Sequence, residues 1–203
     1  MNIIESIQKL IQESLNINDL ILVTSNLNKL KEYQRFGLKN LKIEKGKDLP
    51  EVAGTDIEVI KYKALDAGIN RIVEDTSLNV DNYPDFGVNI RWMLKKLKSI
   101  NPKGVKSNWV VLIGINDGVN IKVSKGEING IIKPIDIIPE NAFGFDPFFF
   151  PNNSNKSLYE LEQENKKDLF SARKIAIQNI LKEKFILVEK IENISKWNGK
   201  YQH

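Results

Sequence analysis

Glu74-Asp75-Thr76-Ser77 sets two neighbouring carboxylates ahead of two hydroxyls, where the short apolar run Ile72-Val73 is predicted to end. Two such acids cannot both be buried without a cation or hydrogen-bond donors, because each charge would be uncompensated. Oxygen ligands of this kind suit magnesium and leave one carboxylate to take a proton from water. A capping Asp before a loop explains the same residues equally well. Upstream, Thr24-Ser25-Asn26 closes another apolar run, and Lys29 follows on the predicted first turn of a helix. Hydroxyls, open amides and a lysine at a helix N-terminus suit phosphate. Taken alone, that stretch reads first as an N-cap with a surface lysine. Glu51, held rigidly after Pro50, is a third acid able to join a cation. Lys63 borders the apolar face of its predicted helix, where lysines ordinarily snorkel.

The later chain suggests a different task. Phe143-Gly144-Phe145-Asp146-Pro147-Phe148-Phe149-Phe150 is the densest aromatic segment. Its rings could wall a flat heterocycle while Asp146 bonds the heterocycle's edge. Core packing explains most of the rings as well, but not Asp146. Lys167 and the Ser171-Ala172-Arg173 start of a predicted helix add donors, or simply a Ser cap with solvated basic neighbours.

Composition removes the common alternatives. The 203 residues include no cysteine, and the single histidine is His203. Thiolate metal sites, Ser-His-Asp catalysis and paired-His zinc chemistry are therefore excluded. Any catalysis must run on carboxylates, Lys, Arg and hydroxyls. A net charge of +4 with dispersed lysines does not mark a nucleic-acid binder. No run approaches the roughly 18 apolar residues of a membrane span, and no clean signal-peptide core is present, so a cytoplasmic protein without membrane contact is expected.

The elements that must position these residues alternate. Helices are predicted near 2–15, over 28–36, before Gly68, near 89–97, near 157–163 and over 171–184. Strands are predicted at 20–24, 41–43, 72–73, 109–115, 119–124, 126–132 and near the C-terminus. Asn116-Asp117-Gly118 is a hairpin turn, which forbids a purely parallel sheet. Mixed α/β follows, in one domain over 1–203.

Five stations in order resemble the inosine/xanthosine triphosphate pyrophosphatase family. They are Thr24-Ser25-Asn26-Leu27-Asn28-Lys29-Leu30-Lys31-Glu32, Leu49-Pro50-Glu51 with Lys63, Glu74-Asp75-Thr76-Ser77-Leu78, Phe143-Gly144-Phe145-Asp146-Pro147, and Lys167 with Ser171-Ala172-Arg173. The resemblance covers about 20–184 and leaves the N-terminal helix region 1–19 and the tail 185–203 as extensions. It implies a curved mixed sheet flanked by helices, two lobes with an active-site cleft between them, and a homodimer. It also implies hydrolysis of ITP, dITP or XTP to monophosphate and pyrophosphate. By the same resemblance Thr24, Ser25, Asn26 and Lys29 cradle phosphate, and Lys63 and Arg91 lie near the triphosphate. Glu51 and Asp75 hold magnesium, with Asp75 also the base. Phe143, Asp146, Lys167 and Arg173 form the base pocket, with Thr76, Gly144 and Phe145 also touching substrate. Three departures stand out: Ser25 for a family glycine, Ala172 for a histidine, and Phe86-Gly87 for Pro-Gly. They leave open the same chemistry on another nucleotide, or a weakly catalytic nucleotide-binding protein.

Overall fold

The computed structural model describes residues 17–46, 49–84, 101–137, 139–140, 142 and 144–202. The helices expected near 2–15 and 89–97, the Phe86-Gly87 departure, and two of the expected site residues, Arg91 and Phe143, lie outside those residues.

Seven strands form an open sheet: β1 (Ile21–Val23), β2 (Lys42–Glu44), β3 (Arg71–Val80), β4 (Val105–Asn116), β5 (Asn120–Ile132), β6 (Phe149–Pro151) and β7 (Leu187–Lys190). The order is β2-β1-β3-β4-β5-β6, with β7 also paired to β5. β1 runs parallel to β2 and β3, while β6 and β7 are antiparallel to β5, so the expected mixed sheet is observed. The helices are α1 (Leu27–Arg35), α2 (Asp56–Ala67), α3 (Leu158–Gln163) and α4 (Ala172–Leu181).

Local chemistry explains most boundaries. Thr55 and Glu58 close a capping box at the start of α2, and Ser157 and Glu160 do the same for α3. Gly118, at φ 90°, makes the turn between β4 and β5, where Asp117 N–H donates to Asn120 O at 3.1 Å. Three strands are longer than the sequence suggests, β4 by its earlier start at Val105. β3 does not stop at the acidic pair, because buried Leu78 and Val80 alternate with Ser77 and Asn79 and carry the two-residue period onward. β5 runs unbroken through Gly126, whose missing side chain admits helix backbone. A Cβ there would run into Ala172 O.

Contacts gather into two compact units. The described residues of Met1–Glu74, Leu112–Ser124 and Ile177–His203 form the first, and those of Asp75–Val111 and Lys125–Ala176 the second. In the first, α2 lies tightly on β4: a Cβ at Gly114 would fall 2.9 Å from both Ala64 Cβ and Ile60 O. In the second, Phe145 meets Trp109 and Phe149 edge-on at 5.7 and 5.8 Å, forming an aromatic core.

Candidate active site

β1 ends at Val23, and the chain turns into α1 through Thr24, Ser25 and Asn26. Asn26 Oδ1 accepts from the Asn28 and Lys29 amides at 2.9 and 3.4 Å, so this side chain caps the helix. Ser25 is exposed and does not take a left-handed φ, so replacing glycine there costs no backbone strain.

Lys29 and Tyr33 stand one turn apart on α1 and meet the same carboxylate. Lys29 Nζ lies 3.1 Å from Glu74 Oε1, and the Tyr33 hydroxyl donates to Glu74 Oε2 at 3.0 Å. The Glu74 side chain is 2% exposed, and these two donors resolve its burial. Tyr33 escaped the sequence reading. Its signal was the four-residue spacing from Lys29, which puts both on one helix face.

A second ion pair lies close by. Lys63, in the third turn of α2, reaches Glu51 Oε1 at 2.6 Å. Thr24, Ser25, Lys29, Glu51, Lys63 and Glu74 all line one cleft of about 290 Å³ in the first unit. The structure thus brings together most of the expected phosphate and metal residues. Asp75 and Thr76 follow Glu74 along β3, half-buried, and are not among the residues lining that cleft.

The donor set fits magnesium. Its ligand atoms are oxygens only, and among the described residues no three acids or histidines gather closely enough to hold a metal alone. Magnesium binding here would take one or two protein carboxylates and leave the rest of its shell to phosphate and water.

The second unit assembles the other expected group. Lys167 Nζ lies 2.6 Å from Asp146 Oδ2 and 3.5 Å from Glu162 Oε2. Gly144 adopts φ 55° just before buried Phe145, whose ring belongs to the aromatic core. Ser171 Oγ accepts from the Lys174 amide at 3.2 Å, and Arg173 is half-buried on the first turn of α4. Ala172 is 0% exposed, so its methyl does not border an open space.

These features define a mixed α/β protein with an oxygen-lined cleft at the C-terminal end of β1. A family model described as Ham1 family matches residues 20–183, and the chain belongs to that family. The ordered motifs pointed to the same family. The chain is 29% identical over 173 residues to a dITP/XTP pyrophosphatase of Korarchaeum cryptofilum, covering 76% of this chain and 89% of the relative. It is 29% identical over 185 residues to the inosine triphosphate pyrophosphatase of Saccharomyces cerevisiae, covering 77% and 90%. The fold resembles the Staphylococcus aureus Ham1 protein with a TM-score of 0.64 at 23% identity, over 81% of this chain and 96% of that one.

Proposed function

We propose that this chain hydrolyses deaminated purine nucleoside triphosphates to monophosphate and pyrophosphate, using magnesium and Asp75 as base. The cleft with its two acid–lysine pairs, Lys29–Glu74 and Lys63–Glu51, carries the reading. The names of the relatives support it. A triphosphate brings about four negative charges, and the two lysines lining the cleft help to offset them. Thr24 and Ser25 offer hydroxyls to the same oxygens. Glu51 and Asp75 would hold magnesium, which when bound offsets charge growing on the phosphate oxygens. Asp75 orients the attacking water and accepts its proton, a role that needs no histidine.

Asp146 and Lys167 suit the base. A deaminated purine presents a carbonyl oxygen beside a ring N–H, so it accepts from an ammonium and donates to a carboxylate; adenine presents the reverse pattern at those positions. A panel of inosine, xanthosine, adenosine and guanosine triphosphates with magnesium, compared by kcat/KM, tests this reading. The first two should be preferred by about tenfold or more over adenosine triphosphate. Equal turnover of all four would contradict it.

A further inference from the structure

Residues 195–202 lie beyond the 20–183 span of the family match, yet they bind the segment that carries Glu51. Ala53 N–H donates to Lys200 O at 2.8 Å, and Gln202 N–H donates to Glu51 O at 2.8 Å. Val52 and Tyr201 form an antiparallel bridge. The Gln202 side-chain amide donates to Val52 O at 3.0 Å. Residues 49–54 belong to no helix or named strand, and the tail bonds the backbone of Glu51, Val52 and Ala53 within them.

The same tail grips α2. The Tyr62 hydroxyl donates to Ser195 O at 2.9 Å, and the Trp197 ring meets Tyr62 edge-on at 5.2 Å. Trp197 Nε1 donates to Lys200 O at 2.9 Å, folding the tail about its own indole. Glycines make the room: a Cβ at Gly54 would lie 3.2 Å from Trp197 Cη2, and one at Gly199 would lie 2.6 Å from Cζ2. Val52 and Tyr62 are the immediate neighbours of Glu51 and Lys63. The tail therefore holds the residue beside each member of the ion pair.

We propose that residues 195–202 are a positioning strap, anchored by Trp197, that holds Glu51 against Lys63 and sets how tightly the cleft takes magnesium. This rests on the proposed function for the role of Glu51. Trp197 is a positioning residue, because it acts through the backbone on either side of that carboxylate. Ordering this loop before the ligand arrives removes an entropic cost from binding.

The test compares the full chain with Trp197→Ala and Trp197→Phe in three measurements. These are amide exchange at Ala53 and Gln202, calorimetric titration with magnesium, and magnesium dependence of inosine triphosphate hydrolysis. In Trp197→Ala both amides should exchange faster while Ala64 in α2 keeps its protection. Magnesium affinity should fall about ten- to a hundredfold, as expected when a supporting contact of a metal ligand is lost. At saturating magnesium kcat should return to near its unmodified value, and Trp197→Phe should restore most of the affinity. Unchanged exchange at Ala53 overturns the strap, as does faster exchange with unchanged magnesium affinity. A chain that binds magnesium in this strap-dependent way but hydrolyses no nucleoside triphosphate leaves the strap standing and contradicts the proposed function instead.

Discussion

Lys29 Nζ stands 3.1 Å from Glu74 Oε1, while Tyr33, one turn further along the same helix, donates to the other oxygen of that carboxylate. A single face of α1 thus compensates a buried acid on β3 and keeps a lysine at the mouth of the cleft. The arrangement joins a buried acid of the sheet to a lysine that lines the cleft.

Lys29→Met removes the ammonium 3.1 Å from the buried Glu74 carboxylate and keeps the Tyr33 hydroxyl donating to it. The lysine is 27% exposed, so solvent weakens the pair, and a loss of about 1–3 kcal/mol is expected in urea unfolding. Adding Glu74→Gln removes the stranded charge, so the double variant should be more stable than Lys29→Met alone. Strict additivity of the two losses would show that the pair is not coupled.

Asp75→Asn should lower turnover by at least about 100-fold, since it removes a proposed cation ligand and the proposed base. Glu74→Gln should act mainly on stability and on the placement of Lys29. If Asp75→Asn turns over normally while Glu74→Gln does not, the base is Glu74, which lines the cleft.

Much of the site was legible because it is local. Thr24, Asn26 and Lys29 fall at one strand-to-helix junction and the acidic pair at the end of an apolar run, whereas Tyr33 and the Thr55–Glu58 capping box, though local, went unread. What was not legible depends on contacts distant in sequence. β3 was expected to stop at the acidic pair, yet it continues to Val80, and the Lys29 and Tyr33 donors that meet Glu74 within it come from far upstream. The tail over 195–202 reads as a polar, basic end, and nothing in its composition announces a bridge from Tyr201 to Val52. Ala172 stands where the resembled family has histidine, and the sequence does not show that its methyl is fully buried with its backbone against Gly126.

Ala172→His should therefore overpack the start of α4 and destabilise the chain by about 1–3 kcal/mol in thermal or urea unfolding. A variant of unchanged stability with sharper preference for inosine triphosphate would show that room for an imidazole exists after all.

Asp117 supplies a pH-dependent part of the stability. Burial opposes its ionisation, but the Asn120 and Val119 amides and the Lys122 ammonium, at 2.6, 2.9 and 2.9 Å, outweigh burial and lower its pKa. The folded value lies below the unfolded one, so the contribution is fully present above the ordinary value of 3.8 and fades as pH falls through the folded pKa. Asp117→Asn should be less stable than the unmodified chain at pH 7, and the gap should close on acidification below about pH 4. A gap independent of pH would mean that the charge contributes nothing.

The most direct measurement is the identity of the products formed from inosine triphosphate and magnesium, with water carrying heavy oxygen. The expected result is inosine monophosphate and pyrophosphate in equal amounts, with the label in the monophosphate, as attack at the α-phosphorus requires. Orthophosphate and inosine diphosphate would place the attack at the γ-phosphorus and contradict the pyrophosphatase reading of the cleft.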